Sequence, residues 1–237
     1  MQRHFKVNPW RVLHGGAHLA EELDLYTECD FSPGGIVWVE ANPTLAGELR
    51  NRFKGSTNSV INAALWSKSD LILDFHQTSN SQSSSLLKLG SHLENFPDIV
   101  ETGTIKVKTW RIDELSPELL GVDFINLDIQ GAELEAIKGA ENILNQIKWI
   151  YTEVNRSDVY LGCAKIWEID EFLKGFGFNR IATRWSFRDD FGDALYSKDK
   201  HLLQSSTFHF FELINTLGTA VRYFLHGLKL KLRVHHR

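Results

Sequence analysis

Residues 122–139, VDFINLDIQGAELEAIKG, restrict the possible folds of this chain more than any other stretch. Val122, Phe124, Ile125 and Leu127 make an apolar run with the length and composition of a buried strand. The run ends at Asp128, passes through Gln130-Gly131 and continues as an amphipathic helix. Leu134, Ile137 and Ala140 share the inward face of that helix, and Glu133, Glu135 and Lys138 are predicted to face out. In an open parallel sheet, ligands bind at the carboxyl ends of the strands, which is where Asp128 falls. An acid at that place serves a ligand or caps the helix, and taken alone capping is the commoner use.

The flanking sequence repeats the alternation. Arg11 to His14 is a short strand running into Gly15-Gly16-Ala17-His18, and residues 18–29 are predicted as a helix with Leu19, Leu23 and Tyr26 on one side. Ile36 to Val39 is a second buried strand ending in Glu40-Ala41-Asn42-Pro43. Asn42 reads as a cap and Pro43 as a first-turn residue of a helix reaching about Phe53. Val60 to Trp66 is a third strand with its exit, and Leu71 to Phe75 another. Residues 104–110 alternate as in a half-exposed strand, 149–155 form a further strand, and 165–175 a helix with Ile166, Ile169, Phe172 and Leu173 inward. Residues 178–184 and 193–197 make two closing strands, the last of them antiparallel. The whole is predicted as a doubly wound, Rossmann-like α/β sheet.

The length suits one domain with a sizeable core, here residues 1–199 followed by a tail, 200–237. Net charge is −4, which gives no global field to recruit nucleic acid. The tail nevertheless sets Lys200, Arg222, Lys229, Lys231, Arg233 and Arg237 against Glu212 alone, and carries apolar residues at helical spacing. Packing on the domain or in a homodimer is its first reading, contact with an anionic membrane surface the second. Cys29 and Cys163 make neither a zinc pattern nor a disulfide framework, no secretory leader or spanning run is visible, and a cytoplasmic setting is expected.

Three strand exits combine into one ligand-binding pattern. Gly15 and Gly16 allow close backbone approach, although GxGxxG is absent. Glu40 closes the second strand, where an acid commonly accepts hydrogen bonds from ribose hydroxyls. Asn62-Ala63-Ala64-Leu65 offers small apolar residues that suit an adenine pocket or an ordinary strand. With Asp128 at a fourth exit, these describe a nucleoside-bearing cofactor laid across the sheet. No GxxxxGK[ST] phosphate loop is present.

On these residues the chain resembles the FkbM-type methyltransferases, a branch of the class I S-adenosylmethionine-dependent enzymes. LDIQGAELEAIKGAENIL at 127–144 is similar to the family's D-x-[EQ]-G-x-E-x-x-x-L-x-G stretch. VLHGGAHLAEE, VWVEANP, NAALWS, SSSLL and FGDALYSKD follow family segments in order over about residues 11–198. The first motif departs from the common D-x-G-A-N-x-G, with His14, His18 and Ala20 in place of the acid, the asparagine and the last glycine. The resemblance implies a seven-strand class I fold with its last strand antiparallel, S-adenosylmethionine as cofactor, and O-methylation of a small-molecule or glycan hydroxyl. It implies cofactor contacts from His14, Gly15, Gly16, Ala17, Glu40, Ala41, Asn42, Ala63, Ala64 and Asp128.

For proton removal from an acceptor hydroxyl the candidates by position are Asp128, Glu153 and His18; Ser84, Ser85 and Asn155 are candidates for the acceptor side. Spacing indicates no metal. Glu133 is expected to be structural, a first-turn acid favoured by the helix dipole. The Ser-rich segment at 79–85 reads equally as a linker or as a lid. The rival to an enzyme is a catalytically silent nucleoside-binding or scaffolding module of a glycan-assembly pathway.

Overall fold

The computed structural model describes residues 9–28, 31–32, 34–186 and 190–199. The tail at 200–237, and with it the readings of packing or membrane contact, lies outside the described residues, as does Cys29.

Among the described residues ten strands and five α-helices follow in chain order: β1 (Val12–Gly15), α1 (Leu23–Glu28), β2 (Ile36–Glu40), α2 (Pro43–Arg52), β3 (Ser59–Asn62), β4 (Ala64–Leu65), β5 (Ile72–Thr78), α3 (His92–Asn95), β6 (Glu101–Trp110), β7 (Phe124–Leu127), α4 (Glu133–Lys138), β8 (Trp149–Asn155), α5 (Ile166–Lys174), β9 (Asn179–Trp185) and β10 (Phe191–Ser197). The main sheet has seven strands in the order β3-β2-β1-β7-β8-β10-β9. Pairing is parallel from β3 to β8, and β10 runs antiparallel to both of its neighbours. The order reverses between β1 and β7, so the carboxyl ends of those two strands open a crevice at the switch point.

Alternation along each strand builds a core on both faces. Leu13, Val37, Val39, Ile125, Leu127, Ile150 and Val154 join one apolar cluster, and Val12, Ile36, Trp38, Phe124 and Leu195 join the other. β1, β2 and β7 are buried along their whole length, as central strands covered on both sides must be.

Two departures from the sequence reading matter for the site. The helix expected over 18–29 begins only at Leu23, because His18 (φ 43°) and Ala20 (φ 57°) hold left-handed backbone that no helix continues through. The strand expected from Val60 to Trp66 divides. β3 completes the main sheet, while β4 pairs with β6 in a second sheet of order β4-β6-β5. The β5–β6 hairpin pairs from Ile72↔Lys108 to Thr78↔Glu101 and stands beside the crevice. Among the described residues no helix is long and apolar enough to cross a membrane.

Candidate active site

A cleft of about 600 Å³, its open mouth included, lies over the carboxyl ends of β1, β2 and β7. Of the residues singled out in the sequence, Gly16, His18, Glu40, Ala41, Asn42, Ala63, Ala64, Ser84 and Asp128 line it. Leu45, Leu65, Phe75 and Leu86 add apolar wall, and Ser81, Gln82 and Gln130 add polar groups.

The loop after β1 is shaped by its contacts with β2 and β7. Gly16 N and Ala17 N both donate to Val39 O, at 3.0 and 3.1 Å, and Asp128 N donates to Gly15 O at 3.1 Å. Gly16 has φ +83°, and a β-carbon on it would fall 1.8 Å from Asp128 O. Only glycine fits where these two loops touch.

Glu40 organises the next turn. Its Oε2 accepts the His18 N–H at 2.8 Å and its Oε1 the Asn42 N–H at 2.7 Å. Burial pushes its carboxyl upward, while the backbone N–H groups of Asn42, His18 and Ala41 pull the other way. Each carboxylate oxygen keeps a further acceptor site, the arrangement a vicinal diol requires. Asn42 caps α2 by accepting from Thr44 N at 3.0 Å, with Pro43 in the first turn as expected.

His18 turns to the mouth of the cleft. One ring nitrogen meets Glu21 Oε1 at 2.6 Å and the other Ser81 Oγ at 2.8 Å. The hydrogen bond to Glu21 raises its pKa, against partial desolvation. Ser81 belongs to the Ser-rich segment, which folds as an arch over the cleft. Gln82 Nε2 reaches Glu21 Oε1 at 3.3 Å, Ser85 Oγ donates to Gln130 O at 2.7 Å, and Ser85 exchanges backbone hydrogen bonds with His76.

Acids crowd the far side. Asp128 is exposed at the cleft, and its Oδ1 accepts from Gln130 Nε2 at 2.6 Å. The same Nε2 donates to Glu153 Oε2 at 3.0 Å, and Tyr160 OH donates to Gln130 Oε1. Glu153 is 7% exposed, and its Oε1 has no hydrogen-bond partner among the described residues. Burial holds its pKa well above the usual carboxylate range, helped by the neighbouring Glu133, Asp128 and Asp193.

Several expected contacts are corrected here. His14 does not line the cleft. Its ring is buried between Trp38 and Tyr26, with Nδ1 3.0 Å from Tyr26 Oη and 3.3 Å from Asn126 Nδ2. The alternation of β1 sends it beneath the sheet, on the same face as Trp38. Gly15 and Ala17 are packed under the loop, Gly15 against Leu65 and Leu127. Ser85, Glu153 and Asn155 are buried behind the lining. Glu133, predicted outward, is 2% exposed: its Oε1 turns back to accept Ile129 N at 3.0 Å and Gly131 N at 3.1 Å. Desolvation raises its pKa to about 7. Sequence reading missed Gln130 as a site residue, since a single amide carries no periodic or spacing signal. Among the described residues no group of three or more His, Cys, Asp or Glu is arranged to hold a metal ion.

Comparison with known proteins bears on the family and the fold. A profile of the methyltransferase FkbM domain matches residues 15–180. The 2-O-methyltransferase NoeI of Sinorhizobium fredii is 30% identical over 113 residues, covering 44% of this chain and 46% of that protein. The crystal structure of methyltransferase FkbM from Methylobacillus flagellatus superimposes with a TM-score of 0.53 at 14% identity, covering 80% of this chain and 43% of that one. A SAM-dependent methyltransferase from Aquifex aeolicus gives a TM-score of 0.45 at 12% identity, covering 83% and 87%. The match thus spans less than half the length of the first two relatives.

Proposed function

The chain belongs to the FkbM methyltransferase family, and on that premise we propose that it transfers a methyl group to a hydroxyl oxygen of a sugar, glycan or related metabolite. Its cofactor is S-adenosylmethionine, which supplies a methyl on a sulfonium that is open to direct displacement. The observation that carries the reading is the pairing of two carboxylates across one cleft. Glu40 has a lone pair to spare on each oxygen and faces small apolar residues, while Asp128 stands at the sheet's switch point. The donor set fits the cofactor. Glu40 would hold the ribose hydroxyls, and Ala41, Ala63, Ala64 and Phe75 the adenine.

Within that reading Asp128 is the group that takes the proton from the acceptor hydroxyl. Of the two carboxylates among the described lining residues Glu40 is buried and Asp128 exposed, and a base within hydrogen-bond reach adds about 10²–10⁴-fold. His18 is a weaker candidate, because both of its nitrogens are engaged. Glu153 lies behind Gln130 and has no path to a ligand in this arrangement. The arch at Ser81–Ser85 excludes water and helps to align the reacting groups, an effect worth about 7–11 kcal/mol in favourable cases. The NoeI similarity supports oxygen as the methylated atom, and the sugar-type acceptor follows from the family resemblance.

Calorimetry with S-adenosylhomocysteine, followed by a screen of nucleotide sugars and glycans for transfer of labelled methyl, tests the proposal. Binding with methyl uptake supports it. Binding without uptake on any hydroxyl acceptor favours the silent nucleoside-binding module, and no binding ends the methyl-transfer reading.

A further inference from the structure

Two acids share one amide in this protein. Gln130 Nε2 has two N–H bonds and spends them on Asp128 Oδ1 and Glu153 Oε2. The amide cannot rotate to present its oxygen instead, because Oε1 is held by Tyr160 OH and the Gln130 backbone O by Ser85 Oγ. Gln130 itself sits at φ 59°, a left-handed conformation uncommon outside glycine, so the fold spends backbone strain to put the amide there. A neutral bridge does not neutralise two carboxylates. One of them is at the cleft and exposed; the other is 7% exposed and faced by further acids.

The unpartnered atoms say where a proton belongs. Glu153 Oε1 and Asn155 Oδ1 are both buried acceptors with no partner among the described residues. They stand two residues apart on the same face of β8, and Asn155 is 1% exposed. A buried acceptor without a partner is costly, and a proton on Glu153 Oε1 turns one such acceptor into a donor.

We propose that Gln130 is a positioning residue that sorts the two acids, holding Asp128 ionised at the cleft and Glu153 as a carboxylic acid behind it, its proton directed toward Asn155 Oδ1. The assignment deepens the methyl-transfer reading and rests on it for the use made of Asp128. Apart from the Gln130 amide, the groups facing Glu153 favour its neutral form: Glu133 from α4, Asp128 from the turn after β7, Asp193 from β10 and Cys163 from the segment before α5. No proton moves in the resting state; Glu153 keeps its own while Asp128 accepts the one from the substrate.

Infrared spectroscopy reads this without turnover. Wild-type protein carrying ¹³C in its glutamate side-chain carboxyls, at neutral pH, should show a protonated-carboxyl band that moves with the label. Glu133, raised to about 7, adds a share of its own at this pH, so the band should persist in D128N and in E133Q and vanish in E133Q/E153Q. Q130L should shift it to higher wavenumber, as expected of an acid that has lost a hydrogen bond to its carbonyl oxygen. S-adenosylhomocysteine affinity should stay within about threefold of wild type in E153Q, as for a change away from the ligand. Absence of a label-sensitive band in the wild type or in E133Q, its survival in E133Q/E153Q, or an unmoved band in Q130L overturns the assignment. The labelled wild type and E133Q keep the test open if E133Q/E153Q does not fold. Failure of the wild type to bind S-adenosylhomocysteine would count against methyl transfer and leave the infrared result standing.

Discussion

The two sides of the cleft satisfy their carboxylates in opposite ways. On the β1–β2 side, Glu40 has a backbone N–H on each oxygen and keeps acceptor capacity for a ligand. On the β7–β8 side, Glu153 is buried with one oxygen unmatched, Glu133 is buried against its own turn, and both face Asp128. The first side is organised by main-chain donors, which cannot rotate away, and so suits binding. On the second, burial raises the pKa of Glu133 and Glu153 and the neighbouring acids add to it, which suits proton handling. A chain with this division should lose affinity from damage on one side and rate from damage on the other.

The largest test of that division is Asp128→Asn. We expect turnover to fall by about 10²–10⁴-fold with S-adenosylhomocysteine affinity changed by less than about fivefold, read by methyl-transfer assay and calorimetry. Loss of affinity as large as the loss of rate would merge the two sides. Next comes Glu40→Gln, which replaces one accepting oxygen by an amide donor. Cofactor affinity should fall about 10–100-fold, with a smaller change in kcat at saturating cofactor.

A third test concerns stability. Glu133 titrates near 7 in the folded protein against an ordinary value of 4.5. Its folded pKa is the higher one, so its contribution is complete below about 4.5 and lost as the pH rises through about 7. The shifts of Glu153 and His18 have the same sign. The melting temperature should therefore fall between about pH 5 and about pH 8, and Glu133→Gln should flatten that fall. A wild-type melting curve that rises over the interval would remove the acid-crowding picture. The smallest effect is expected of Ser81→Ala, which unpins the arch from His18. Cofactor affinity should weaken about threefold, with faster proteolysis within 79–85, because one such hydrogen bond is worth about 1 kcal/mol.

Much of the binding side could be read from the sequence. Continuous apolar runs fixed β1, β2 and β7, Asn42-Pro43 marked a helix start, and an acid at a strand exit singled out Glu40 and Asp128. What escaped depended on backbone torsions or on distant partners. Left-handed φ at His18 and Ala20 is not encoded by residue type, so the first helix was drawn five residues too early. His14 was read as a ligand contact although its alternation with Leu13 sends it into the core. Glu133 looked like an outward polar position because helical periodicity says nothing of a side chain turning back to the preceding turn. The second sheet was hidden because residues 88–102 carry no pattern and β4 is only two residues long. Gln130 acquires its importance from Glu153 and Tyr160, which lie 23 and 30 positions further along the chain.

The arch over the cleft touches both sides, through Ser81 at His18 and Ser85 at Gln130. One short segment thus ties the two sides of the cleft together through two serine hydroxyls, and a ligand that displaced one of these contacts would act on the segment that makes the other. Lengthening the segment by a residue should decouple the two contacts while leaving each intact.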